Sequence, residues 1–507
     1  MIFKKILEQK IIFPFLFAVY PVVFLLSFNI GKSDYAQAIF PGVVIISSSI
    51  ILYLFLRRFI KDRFKSGLLV GWLFLSFFTY GHLYDLAAAN LNSNLGRILV
   101  KPSYGLIFWM LLNVLIIYKV LVFKKAKHPL ILFFNIFSLF LILFSSANIA
   151  IYELSQFLNP TSEDFRETSD DGKFFNLEDL PDIYYIILDG NASASVLKDL
   201  YGYDNKSFVS FLRKNKFFVS ESAKSNYVMT SLSLASSLNM KYVNYLSEEL
   251  GKNSREEIRL HKMIEDNDLV KLLKDRGYKY VTFSSGWGPT NYSRLADVNF
   301  QKVFLSEFST LLIRKSAIGH FEFTRPFLRS RILFTFENLK KIERDSRPKF
   351  VFAHILIPHP PWLFGPRGER VEGTEITLTG DDWTEKEKYI GQVRFAEIMI
   401  KDVIKTILSG NKESVLIVQA DHGPSSTLRE EGRIHLQERF GILNAIYIPE
   451  KYEKNVKLYE GMTPVNTFRM ILNTIFNENY AILEDRHYYT DVFRPFDFSD
   501  VTGELVD

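Results

Sequence analysis

Hydrophobic positions fall into two regimes along this chain. Up to Tyr152 five long apolar stretches follow one another, at about residues 11–30, 36–56, 67–84, 102–123 and 130–152. At 1.5 Å per residue, about 18–23 residues in a helix cross a hydrocarbon layer ~30 Å thick. The stretches are apolar around their whole circumference, as lipid-facing segments are, whereas a soluble helix keeps one wet face. A cleaved leader would need a single such run with a small-residue cleavage site behind it. The pattern predicts a five-span transmembrane domain over residues 1–152.

Beyond Tyr152 the chain turns polar and acidic (Glu163, Asp164, Glu167, Asp170, Asp171), which reads as a linker over 153–180. Short apolar runs rich in β-branched and aromatic residues follow at 183–188, 280–283, 350–355, 415–418 and 442–448. Each has the length of a strand buried on both faces. Helical patterns lie between them, at 268–276 with Gly277 as a left-handed stop, at 385–407 and at 465–475. Alternation of this kind predicts an α/β domain over 181–507, a mostly parallel sheet sandwiched by helices. Ligands of such sheets sit beyond the carboxyl ends of the strands.

Charge adds an orientation. Residues 1–152 carry fifteen Lys+Arg against four Asp+Glu. Lys4, Lys5 and Lys10 precede the first stretch, Arg57, Arg58, Lys61, Arg63 and Lys65 follow the second, and Lys119, Lys124, Lys125 and Lys127 close the fourth. The opposite loops carry only Lys32, Arg97 and Lys101. The positive-inside rule puts the basic ends in the cytoplasm, so the chain is expected in the cell membrane, multi-pass, with its α/β domain extracytoplasmic. His82 and Asp85, near the outer end of the third stretch, are expected at headgroup level. The remainder has 46 basic and 52 acidic residues, a balance unlike that of a reader of phosphate backbones, and nucleic acid is not an expected partner. The chain has no cysteine, which excludes disulfides, thiolate metal sites and a cysteine nucleophile.

Chemistry-bearing residues cluster where the strands end. The first strand runs into Asp189-Gly190-Asn191 and the fourth into Asp421-His422-Gly423. After the third comes a loop holding His359 and three prolines, while His354 falls inside the apolar run and reads as a packed strand residue. Residues 225–240 are crowded with hydroxyls and then become helical. A hydroxyl at a helix N-terminus faces unpaired amides that favour its alkoxide, and Thr230 stands there. Two carboxylates, an imidazole and a hydroxyl form a donor set suited to Mn²⁺, Zn²⁺ or Mg²⁺.

In these residues the chain resembles the alkaline-phosphatase/sulfatase superfamily, and within it the membrane-anchored enzymes like lipoteichoic-acid synthase and the phosphoethanolamine transferases. The resemblance runs over about 181–491 in motif order. It implies metal ligation by Asp189, Thr230, Asp421 and His422, with Thr230 as nucleophile and His359 against the transferring phosphoryl group. His435, thirteen residues past His422, is the implied ligand of a second metal. The chain departs from both subgroups at Asp189, where they usually carry Glu. Formylglycine sulfatases need Cys or Ser followed by Pro and Arg at the nucleophile, a context Thr230 lacks. The implied activity moves a phospho-alcohol headgroup, phosphoethanolamine or phosphoglycerol, from a phospholipid to an envelope glycan or lipid acceptor through a phosphothreonine. Hydrolysis by a membrane-bound phosphodiesterase or phosphatase is the alternative, and a non-catalytic envelope scaffold is a third reading.

Overall fold

A computed structural model describes residues 10–30, 35–90, 102–122, 128–158, 177–302, 305–319, 324–343, 347–371, 383–426, 432–454 and 456–505. Outside these lie most of the acidic linker and Lys4, Lys5, Lys32, Arg97, Lys101, Lys124, Lys125 and Lys127, on which much of the charge argument rests. Five helices come first: α1 Phe13–Phe28, α2 Ala36–Ile60, α3 Arg63–Asn90, α4 Pro102–Val122 and α5 His128–Leu158. Further helices used below are α6 Thr230–Asn239, α7 Asp268–Asp275, α8 Glu307–Arg314, α9 Lys386–Gly410, α10 Arg433–Phe440 and α11 Pro464–Phe476. The chain divides into two compact units, Met1–Asp164 with Leu305–Pro326, and Phe165–Phe304 with Phe327–Asp507.

In the first unit, segments Ala36–Ile60, Arg63–Leu86, Tyr104–Val122 and Pro129–Leu154 are long and apolar enough to cross a membrane, so the chain is a membrane protein. The first apolar stretch forms only the 16-residue α1, about 24 Å long. Asn135 of α5 satisfies its open N-terminus: its side-chain oxygen accepts from the Ile12 and Phe13 amides at 3.1 and 2.9 Å, and its amide donates to Lys10 O at 2.7 Å. Such a bond is needed where no water reaches the backbone. Residues 305–326 fold with this unit although they stand within the stretch expected to be α/β.

The second unit is built on a seven-stranded sheet in the order β2-β7-β6-β1-β5-β3-β4. The strands are β1 Ile183–Leu188, β2 Phe218–Ser220, β3 Lys279–Phe283, β4 Val298–Phe300, β5 Lys349–Ile355, β6 Val415–Gln419 and β7 Asn444–Tyr447; a separate hairpin pairs β8 Tyr488–Asp491 with β9 Arg494–Asp500. β4, β3, β5, β1 and β6 are parallel. β7 runs antiparallel to β6, and β2 antiparallel to β7. β7 therefore begins at the end of the sheet where β6 stops. β1 shows why the strands read as unbroken apolar runs: Ile183, Tyr185 and Ile187 enter the core on one face, and Tyr184, Ile186 and Leu188 the core on the other. Burying each such side chain is worth roughly 1.5–3 kcal/mol, so the register of the central strands is strongly specified.

Candidate metal and phosphoryl-transfer site

β1 is hydrogen-bonded on one side to β5 and on the other to β6, all three parallel. Their carboxyl ends therefore lie together, one strand spacing apart. Asp189 follows the last residue of β1, and Asp421 and His422 follow Ala420 at the end of β6. Gly190, at φ +71° with the Trp383 ring against its Cα, turns the chain sharply and donates its amide to Asp421 Oδ1 at 3.1 Å. The Asp189 carbonyl accepts the His359 amide at 3.0 Å, which ties the proline-rich loop to the same strand end.

Thr230 is the first residue of α6, after Met229, which is extended and gives the helix no side-chain cap. Its Oγ1 lies 3.1 Å from His422 Nε2. Several other hydroxyls of this segment serve the backbone: Ser225 and Ser233 both donate to Tyr227 O, and Ser236 to Lys241 O, while Ser231 Oγ is buried without a hydrogen-bond partner among the described residues. The crowding of hydroxyls in the sequence is thus mostly structural, and Thr230 is the one brought to the strand ends. His422 Nε2 is also 3.7 Å from Asp189 Oδ1 and 3.4 Å from Asp421 Oδ2.

His354 was legible only as a strand residue. It is buried on β5 in register with Ile187, on the face from which Asp189 projects, and its Nε2 lies 3.2 Å from Asp189 Oδ2. Its Nδ1 is 2.9 Å from Thr290 Oγ1, and that hydroxyl is 2.7 Å from Ser285 Oγ. A carboxylate only accepts, so Nε2 carries the hydrogen, Nδ1 accepts from Thr290, and Asp189 is held from behind. Asp189, His354 and Asp421 each offer a ligand atom within 4.8 Å of the others. The His359 ring centre is 6.3 Å from that of His422 and 4.9 Å from that of Trp383. His435 lies on α10, buried, 5.9 Å from the Tyr489 ring, and it is outside the Asp189–His354–Asp421 group.

A family model described as Sulfatase matches residues 181–468, more than half of the chain and the whole stretch from Asp189 to His435. The chain belongs to the sulfatase family. Among curated proteins none matches it. Solved structures similar to this sulfatase-family chain include the zinc complex of the C-terminal periplasmic domain of EcEptC from Escherichia coli (12% identity, 63% of this chain and 92% of that one, TM-score 0.42). The integral membrane protein lipooligosaccharide phosphoethanolamine transferase A from Neisseria meningitidis matches at 12% identity over 91% of this chain and 95% of its own, with TM-score 0.38. The lipoteichoic acid synthase LtaP from Listeria monocytogenes matches at 12% over 68% and 81%, with TM-score 0.37.

Sulfatase-family enzymes of this superfamily depend on metal, and the residues here fit a divalent cation. Asp189 Oδ1 and Asp421 Oδ2 are buried and have no hydrogen-bond partner. Burial, helped by Arg439, pushes the His422 imidazole down to about 4 against the opposing pull of Asp421 and Asp189, so it is neutral at pH 7. Its Nδ1 lies 3.0 Å from Gly423 O, an acceptor, and therefore carries the hydrogen. The Nε2 lone pair is left among two carboxylate oxygens and the Thr230 oxygen. Burial alone would raise the Asp189 carboxyl, but His359 and the hydrogen bond from His354 outweigh it and hold the group ionised, well below the usual carboxylate range. Electron pairs brought this close repel one another unless a cation lies between them. The 3.1–3.7 Å separations match the ~3.4 Å edges of a tetrahedron with bonds of about 2.1 Å.

Proposed function

We propose that this sulfatase-family enzyme transfers a phospho-alcohol headgroup, phosphoethanolamine or phosphoglycerol, from a phospholipid to an envelope glycan or lipid. The observation that carries the reading is the contact of Thr230 Oγ1 with His422 Nε2 beside two unpartnered carboxylate oxygens. Asp189, Thr230, Asp421 and His422 would hold one divalent cation, Mn²⁺ or Zn²⁺ with Mg²⁺ as a third choice, and His435 is our candidate near a second. Bound there, the cation would favour the threonine alkoxide and neutralise charge on the phosphoryl oxygens.

The chain's own groups do the rest. Thr230 Oγ1 attacks phosphorus, the P–O bond to the diacylglycerol oxygen breaks, and the headgroup phosphate is left esterified to Thr230. The acceptor alcohol then attacks that phosphorus, and Thr230 leaves with its proton restored. His359 Nδ1 is 2.6 Å from Pro360 O and so carries its hydrogen, which leaves the Nε2 lone pair to relay protons: it takes up the proton Thr230 loses and gives it to the departing alcohol, then takes one from the acceptor and returns it to Thr230. Five crossings with a cytoplasmic N-terminus would put the catalytic unit outside the cytoplasm, where nucleoside triphosphates are scarce and phospholipids are at hand.

The test uses the full chain in micelles with Mn²⁺ or Zn²⁺ and a phospholipid, without acceptor. Diacylglycerol release together with a Thr230 peptide heavier by one phospho-alcohol supports the reading, and Thr230→Ala should abolish both. Turnover by a folded Thr230→Ala protein would eliminate the nucleophile. Headgroup phosphate released to water at the full rate, with no transfer to any added alcohol, would favour the hydrolase.

A further inference from the structure

Within the first unit, α8 and the turn after it are built into the membrane-spanning helices. Ser306 caps α8 by accepting from Ser309 N at 3.1 Å. Phe308 and Leu312 pack in one cluster with Val22 and Leu25 of α1 and Ala38 and Ile45 of α2. Gly81 N donates to Lys315 O at 3.0 Å, and Phe77 O accepts from Ala317 N at 2.8 Å. These two groups stand four residues apart in α3, so the 315–317 backbone lies hydrogen-bonded along that helix. The approach is so close that a Cβ on Gly81 would fall 2.8 Å from Lys315 Cα.

This arrangement encloses a cavity of about 330 Å³. Its walls are apolar (Phe24, Leu25, Phe78, Leu83, Leu312), and His82 and Lys315 line it as well. Phe24 and Leu83 are themselves exposed, so the cavity opens at the side of the helices. Among the described residues, Asp85 is the carboxylate that acts on both Lys315 and Arg314. Lys315 Nζ pairs with Asp85 at 2.5 Å. Arg314, next in the chain and also within the field of Asp85, has no ion pair or hydrogen bond from its guanidinium among the described residues. A guanidinium keeps its charge at neutral pH. An apolar cavity open to the side, with the Lys315 ammonium on its wall and Arg314 one residue away in the chain, suits an anion attached to a hydrocarbon chain.

We propose that the cavity holds one acyl chain of a membrane glycerophospholipid, with the lipid's phosphodiester at Lys315 and Arg314. Its identity as the donor rests on the transferase reading; its occupancy does not. Detergent-solubilised full chain would be titrated with a phosphatidylglycerol carrying a photoactivatable acyl chain, and the labelled peptides mapped. Labelling at Phe78–Leu83 and around Leu312 should saturate with lipid mole fraction, while labelling at the exposed Ile51 and Leu54 rises without saturating. Unlabelled phosphatidylglycerol should compete; diacylglycerol, which lacks the phosphate, and a soluble glycerophosphodiester, which lacks the chains, should not. Leu312→Trp, which fills the cavity, should remove the saturable component. The pair Arg314→Gln and Lys315→Gln should weaken it about tenfold, the scale of a lost charge-assisted hydrogen bond. Thr230→Ala should leave it intact, so that a failure of the transfer reading is seen separately. Labelling that never saturates, diacylglycerol competing as well as the phospholipid, or saturable labelling unchanged in the Arg314/Lys315 variant would overturn the proposal.

Discussion

Asp421→Asn isolates the electrostatic argument, because it keeps the side chain's shape and one oxygen for the Gly190 amide while removing the charge. The Asp421 side chain is 0% exposed and its Oδ2 has no hydrogen-bond partner. A buried polar atom left unpaired costs about 1–3 kcal/mol, and a charged one more. Without metal, the variant should therefore be as stable as the wild type or more so. With metal the order reverses. Binding to the folded state alone stabilises it by about 2.7 kcal/mol at a free concentration of a hundred times Kd. Loss of one of the four proposed ligands should weaken binding at least about a hundredfold, the upper end of what even outer-shell changes cost. The same metal concentration then yields only about 0.4 kcal/mol. At about 2–4 °C per kcal/mol, the wild-type Tm should rise by roughly 5–10 °C with metal and that of Asp421→Asn by about 1 °C. Thermal unfolding in micelles, in chelator and across a Mn²⁺ or Zn²⁺ titration, measures all four values. A full metal-dependent rise in the variant would refute the ligand assignment. A metal-free variant several kcal/mol weaker than the wild type would make Asp421 a structural anchor.

Three further outcomes follow from the same geometry. His354→Ala removes the donor behind Asp189 and leaves the Thr290 hydroxyl only Ser285 as a side-chain partner, and metal affinity measured by competitive chelation should fall about 10–100-fold with the proposed nucleophile untouched. Gly423→Ala would place a Cβ 2.1 Å from Glu438 O, a backbone atom that cannot swing away, so the catalytic unit should lose ~3 kcal/mol or more by denaturant unfolding. Glu397 is raised by burial, against the hydrogen bonds of Tyr203 and Asn205, from 4.5 to about 7. The folded state therefore keeps a proton that the unfolded chain loses between those values. The stability this contributes is complete below pH 4.5 and is lost as pH rises through 7, a change of about 3 kcal/mol by linkage. Glu397→Gln should lack that decline in stability measured across pH 4–8.

Much of the second unit was legible along the chain, for reasons particular to its segments. The runs at 183–188, 280–283, 350–355 and 415–418 lie within β1, β3, β5 and β6, since strands buried on both faces carry no polar alternation to blur them. Gly277 takes φ +85° after α7, as its position beyond a helical pattern implied. β2 and β4, three residues each, are too short to carry a period, and they were missed. The run at 442–448 is β7, yet its antiparallel direction depends on where the β6–β7 connection travels, which no local pattern records. His354 looked like packing because its relation to Asp189 passes through the pairing of Ile187 with His354 across two strands.

Local periodicity and composition were enough to establish long apolar helices, buried strands and a set of carboxylates, imidazoles and one threonine at strand and helix ends. Each of those features is decided within a few residues by burial and backbone geometry. Tertiary structure alone decided that Thr230, His422, Asp189 and Asp421 share one small volume, that His354 backs Asp189, and that residues 305–326 fold among the membrane helices. Those facts depend on strand order, register and loop path, which are contacts between distant parts of the chain.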